Sequence, residues 1–148
     1  MLKLIIFIFS IFLFEISSFS KEDYFLTLRN SKVNLRQGPA FEYPIKIFYK
    51  KKFLPVAIQD EYGNFRKIKD HENNTGWIHI SQLSKKKAAL VKDKNLIVFN
   101  NPTLFSRPLV ILEHGKLCMV IKCQNEWCKI KVDKYKGWVK QNALWGRL

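Results

Sequence analysis

Acidic side chains are scarce in this sequence. Twelve Asp and Glu stand against twenty-six Lys and Arg, leaving a formal charge of +14 at neutral pH. No pair of acids stands out as a general acid and base, which argues against two-carboxylate catalysis. The six glycines form no phosphate-cradling loop, so nucleotide chemistry of that kind is not expected. Histidines number three, His71, His79 and His114, and none sits at metal-ligand spacing from a cysteine or an acid. No metal and no cofactor are therefore expected, and His71 and His79 read as surface residues. Three cysteines, Cys118, Cys123 and Cys128, are five residues apart, which excludes the Cys-x-x-Cys pattern of redox and zinc sites. A Cys–His nucleophile would have to pair Cys118 with His114, but a turn near Gly115 separates them. Beyond the first twenty residues, no segment holds helical periodicity over three turns.

Those first residues are different in kind. Lys3 is followed by an apolar and aromatic run from Leu4 to Phe14, with Ser10 inside it, and then by Ser17-Ser18-Phe19-Ser20. This is the layout of a Sec-type secretory signal. A hydrocarbon core needs about 20 apolar residues, and Glu15 interrupts this run well short of that. We expect cleavage after Ser20 and a periplasmic protein with no membrane span, the alternative being a segment kept as an N-terminal anchor. Removal takes away Lys3 and Glu15 together, so the charge of +14 is unchanged. A basic exported chain is drawn to wall polymers, anionic lipid, nucleic acid or an acidic protein. Runs such as Lys50-Lys51-Lys52 and Lys85-Lys86-Lys87 read more simply as solvated loops.

The rest of the chain repeats itself with a period just over sixty residues. Gly38-Pro39-Ala40-Phe41-Glu42-Tyr43-Pro44 is echoed by Asn101-Pro102-Thr103-Leu104-Phe105-Ser106-Arg107-Pro108. Phe53-Leu54-Pro55-Val56 aligns with Leu117-Cys118-Met119-Val120, and Phe65-Arg66-Lys67-Ile68-Lys69 with Trp127-Cys128-Lys129-Ile130-Lys131. Gly76-Trp77-Ile78 with Leu83 matches Gly137-Trp138-Val139 with Leu144. Each unit is a series of short β-rich runs punctuated by Pro, Gly and Asn. Closely spaced antiparallel strands in a unit of that size suit a small barrel, because closure removes exposed edges. The expected organisation is all-β: a signal at 1–20, one barrel at 21–85 and another at 86–148. The short polar linker falls at about Ser84 to Ala89, so the barrels should touch.

Val33-Asn34-Leu35-Arg36-Gln37-Gly38-Pro39, an aromatic and Pro44 shortly after, and a closing Gly76-Trp77-Ile78 together resemble the bacterial SH3 domain. Over almost the whole chain beyond the signal, including the terminal Leu144-Trp145-Gly146, the sequence is similar to exported two-barrel SH3-like proteins of Gram-negative bacteria. The resemblance implies fold and location more than activity. Repeat two departs from it, since Asn100-Asn101-Pro102 replaces the Arg-x-Gly-Pro loop. Bacterial SH3 domains often accompany wall hydrolases. With this chain ending at Leu148, no catalytic domain is expected, and the protein reads as not an enzyme.

In an oxidising compartment the cysteines are first asked about disulfides. If Asn125-Glu126 is a two-residue hairpin turn, Cys123 and Cys128 face each other directly, at a spacing a disulfide can bridge. Cys118 lies an odd number of residues from Cys123 and aligns with Leu54, so it reads as a core residue. The matching hairpin of repeat one, Gln59 to Arg66, reads as longer.

Binding is the better use of the aromatics. With Ile68 and Ile130 inside, alternation turns Phe65 and Trp127 outward. Together with Tyr43, Tyr62, Trp77 and Arg36, Phe65 would give repeat one an aromatic groove with a basic edge. Such a groove suits a sugar ring or a proline-containing peptide. The competing reading has these rings fill the core and the barrel–barrel contact. The expected function is a non-catalytic envelope module for peptidoglycan or a wall-associated protein. The alternative is a structural module docking on an acidic envelope partner. No base-reading motif points to specific nucleic acid binding. Sequence leaves the oligomeric state open.

Overall fold

A computed structural model describes residues 24–148. The signal-like segment 1–20 and its expected cleavage point lie outside the described residues. Repeat one runs β1 (Tyr24–Leu28), β2 (Val33–Arg36), β3 (Ile45–Tyr49), β4 (Pro55–Tyr62), β5 (Phe65–Lys69), β6 (Thr75–His79), a 3-10 turn at Ile80–Gln82, and β7 (Leu83–Ser84). Repeat two runs β8 (Ala88–Val91), β9 (Asn95–Phe99), β10 (Pro108–Glu113), β11 (Leu117–Gln124), β12 (Trp127–Val132), β13 (Tyr135–Lys140), a 3-10 turn at Gln141–Ala143, and β14 (Leu144–Arg147). The sheets have strand orders β3-β2-β6-β5-β4-β1-β7 and β10-β9-β13-β12-β11-β8-β14. These are one order written twice, so the duplication seen in sequence is also a duplication of topology. Both are SH3-like antiparallel barrels, as the sequence led us to expect.

Each barrel closes on its inward β-branched and leucine positions. Leu28, Val33, Leu35, Val56, Ile68 and Ile78 fill the first, and Val91, Val98, Cys118, Ile130 and Val139 the second. The glycine of each Gly-Trp pair has a packing reason. A Cβ on Gly76 would lie 2.7 Å from the Arg36 carbonyl oxygen, and one on Gly137 would lie 2.6 Å from that of Phe99. Only glycine lets β6 cross β2, and β13 cross β9, at that distance.

The register corrects two alignments made from sequence. Leu28 N–H donates to the Leu54 carbonyl and Val91 N–H to that of Lys116, so Leu54 matches Lys116 and Cys118 matches Val56. Cys118 is nevertheless a core residue, fully buried with its Sγ 3.4 Å from the Ala89 carbonyl oxygen. The hairpin of repeat one is not longer than its counterpart. Tyr62 pairs with Phe65 across Gly63-Asn64, as Gln124 pairs with Trp127 across Asn125-Glu126. Asn125 and Glu126 both have positive φ, 49° and 66°, the signature of the tight turn that matches strand twist. Cys123 and Cys128 stand opposite each other and are bridged.

The linker is also shorter than sequence suggested. Ala88 and Ala89 are fully buried in β8, which leaves only Lys85, Lys86 and Lys87 between the repeats. Side chains then tie the barrels together. Thr27 donates its hydroxyl to the Lys86 carbonyl at 2.9 Å, and Arg147 Nη1 donates to that of Phe25 at 2.7 Å. The Trp145 ring meets Phe25 edge-on at 5.0 Å, and Leu90, Leu117 and Trp145 pack against the core of repeat one. The expected barrel–barrel contact is present, made by Phe25 and Trp145 rather than by the groove aromatics.

Candidate functional site

Strand alternation builds the outer face of repeat one. Ile68 and Ile78 point into the core, so Phe65 and Lys67 of β5 and Trp77 and His79 of β6 point away from it. Register pairs Phe65 with His79, Lys67 with Trp77, Tyr62 with Phe65, and Arg36 with Trp77. Directly paired residues of an antiparallel ladder share a face. The register therefore places Arg36, Tyr62, Phe65 and Trp77 on one face of the sheet.

The loop between β2 and β3 folds back over this face. Arg36 Nη1 donates to the carbonyls of Phe41 at 2.9 Å and Tyr43 at 3.0 Å. Its guanidinium carbon also lies 5.4 Å from the centre of the Phe41 ring. Tyr43 lies against Gly38, where a Cβ would stand 2.5 Å from its ring. Held this way, Phe41 meets Phe65 edge-on at 5.2 Å and His79 at 5.1 Å, while Phe65 and His79 meet at 5.1 Å. Arg36 is thus a positioning residue for the loop.

This corrects the expectation that Phe65 and Trp127 are exposed platforms. Both turn away from the core, but each is only 7% exposed. Parity fixes the face of a residue and says nothing of what lies over it. Phe41 and His79 cover Phe65, and the ring neighbours of Trp127 are Phe99 at 6.0 Å and Lys140 Nζ at 4.6 Å. Trp127 belongs to the matching face of repeat two, not to this cluster. The surface that repeat one offers is Phe41, Tyr43 and Tyr62, 60%, 47% and 67% exposed, with half-buried Trp77 beside them.

Two members of the cluster were missed in the sequence. Phe41 stands in the same Gly-Pro loop as Tyr43, and the choice between the two rings rests on loop geometry. His79, expected at the surface, is opposed to Phe65 by a register that sequence does not disclose. The Ser81 N–H donates to His79 Nδ1 at 3.2 Å, so the neutral ring carries its proton on Nε2.

Cys118 is the only free thiol among the described residues, and burial pushes it up to about 12, far from a nucleophile's range. His114 Nδ1 lies 2.7 Å from the Lys92 carbonyl. Among the described residues no cluster of His, Cys, Asp or Glu could hold a metal ion, and no helix is long and apolar enough to cross a membrane. An aromatic surface edged by Arg36 and His79 can stack and donate hydrogen bonds.

The model of the bacterial SH3 domain family matches the chain twice, over residues 29–85 and 92–146. The chain belongs to the bacterial SH3 domain family. Each match begins just after the first strand of its repeat and takes in the Gly-Trp crossing and the loop after the second strand. No curated protein matches the chain. Among solved structures it is similar to NlpC2 from Trichomonas vaginalis, at 11% identity and TM-score 0.39, covering 85% of this chain and 49% of that one. An NlpC/P60 family protein from Bacillus cereus matches at 12% identity and TM-score 0.36, covering 81% and 55%. NlpC1 from Trichomonas vaginalis matches at 12% and 0.37, covering 86% and 47%. The chain spans about half the length of these structures.

Proposed function

We propose that this tandem SH3 protein is a non-catalytic binding module of the periplasmic envelope, exported by its N-terminal signal, which holds peptidoglycan or a wall-associated protein on repeat one. The observation that carries the reading is the Phe41 ring. It is largely exposed, yet fixed from beneath by Phe65 and His79 and from the side by Arg36. A pre-positioned ring costs little ordering on binding, and its apolar face suits the C–H face of a sugar or an aliphatic peptide side chain. Tyr62 and Trp77 supply polar tips on the same sheet face. Membership of the family, whose domains often serve wall binding, supports the same reading.

Pull-down on purified peptidoglycan tests it. The protein should be retained, and Phe41→Ala and Trp77→Ala should reduce retention. Equal retention of all three, or none, sinks the proposal. In the second case, crosslinking in intact cells to a single acidic protein partner would favour the docking alternative, which draws on the charge of +14.

A further inference from the structure

Repeat two presents a face of another character. Its inward positions are Cys128, Ile130, Val132 and Val139, so Trp127, Lys129 and Lys131 of β12 and Lys136, Trp138 and Lys140 of β13 point outward. Lys122 of β11 joins them, its Nζ 5.7 Å from the centre of the Trp138 ring. Lys129 Nζ lies 6.0 Å from the same ring, and Lys140 Nζ lies 4.6 Å from that of Trp127. Five lysines thus share one sheet face, and β11, β12 and β13 contain no aspartate or glutamate. Of the acids in the turns beside it, Asp133 is 3.0 Å from Lys116.

The loop beside this face differs from its counterpart in repeat one. Phe99 pairs with Trp138 as Arg36 pairs with Trp77, so a phenylalanine replaces the arginine that pins the first loop. The Phe99 ring also lies on Trp127, the kind of contact that Phe41 makes on Phe65. Relieved of that contact, the 100–107 loop turns its apolar side chains to solvent. Phe105 is 99% exposed and Leu104 63%.

We infer that repeat two docks on an anionic phospholipid surface, its lysines facing the headgroups and Phe105 and Leu104 entering the interface. A ligand that stacks, such as a nucleic acid base or a sugar ring, is less well served here. Trp127 and Trp138 are only 7% and 8% exposed and have ammonium groups over them. What the face offers is a row of positive charge with an apolar tip at its margin. Lysines near an anionic leaflet attract it additively, and an inserted aromatic adds buried apolar area. A second copy of this chain would bring the same positive charge and be repelled.

Flotation of the full chain with phosphatidylcholine vesicles, with and without phosphatidylglycerol, tests this. Affinity should be at least about tenfold higher for the anionic vesicles and should fall with added salt. Reversing the exposed lysines together, as Lys122→Glu, Lys131→Glu and Lys136→Glu, should remove that difference. Phe105→Ser should weaken anionic binding at least about threefold. Lys67→Glu with Lys69→Glu in repeat one should leave it unchanged. The N-terminal segment is common to every variant and cancels in the comparison, and thermal melts confirm that each variant is folded. Equal flotation on both vesicle types, or undiminished flotation of the triple variant, overturns the inference. So does a triple variant that loses binding to DNA or to wall glycan while keeping its vesicle binding.

Discussion

Glu61 and Arg66 stand directly opposite each other on the β4–β5 hairpin, at the register position that Cys123 and Cys128 occupy on β11–β12. One hairpin is closed by an ion pair, Arg66 Nε to Glu61 Oε1 at 3.5 Å, with the Tyr24 hydroxyl donating to the same oxygen at 2.7 Å. The other is closed by a covalent bond. Duplication kept the geometry of the hairpin and changed its chemistry.

The two closures should differ in worth. Chain entropy assigns the short loop closed by Cys123–Cys128 about 2 kcal/mol. A partly exposed ion pair contributes no more than about 1 kcal/mol. Denaturant unfolding should therefore show a larger loss for Cys123→Ser with Cys128→Ser than for Glu61→Ala. The reverse ranking would contradict this account.

Stability should carry an acid dependence set by Asp70. Burial alone would raise its pKa, but hydrogen bonds from Asn74, the Tyr49 hydroxyl and the Glu72 N–H outweigh it and hold the carboxyl below its usual value. The folded pKa thus lies below the unfolded value of about 4, so the contribution is present above that pH and is lost as pH falls through the folded value. Asp70→Asn should cost about 2 kcal/mol at neutral pH, because a buried acceptor for several donors is replaced. Unfolding measured from pH 6 down to pH 2 should show the gap to wild type narrowing, and a constant gap would count against the assignment.

Cys118 should be inert while the protein is folded. With its thiol buried and pushed up to about 12, iodoacetamide near pH 8 should leave it unmodified until denaturant is added. Mass spectrometry of native and unfolded samples checks this, and rapid native labelling would contradict it.

The Gly-Trp crossing should tolerate no side chain. Gly76→Ala would force a Cβ to within 2.7 Å of the Arg36 carbonyl oxygen, which belongs to backbone and cannot swing away. A loss of about 1–3 kcal/mol is expected in equilibrium unfolding. A neutral substitution would show that β2 and β6 are not held as described.

Much of the fold was legible because repetition and alternation are properties of the chain itself. Ile68 and Ile130 mark the inside of each barrel, and Asn125-Glu126 between opposed cysteines marks a tight turn with its bridge. What stayed hidden depends on depth and on exact register. Phe65 and Trp127 point outward as alternation requires, yet Phe41, His79, Phe99 and Lys140 lie over them. The match of Cys118 to Val56 rather than Leu54 likewise follows from backbone hydrogen bonds. The basic face of repeat two was invisible for the same reason, since its lysines come from three strands.

The central claim, that repeat one holds an envelope ligand on Phe41, is tested most directly by retention on purified peptidoglycan of two loop variants. Phe41→Ala should lower affinity about tenfold or more, as expected on losing a central aromatic anchor, while Leu104→Ala in the repeat-two loop should leave it unchanged. Equal affinities for Phe41→Ala and wild type, or a loss confined to Leu104→Ala, would contradict it.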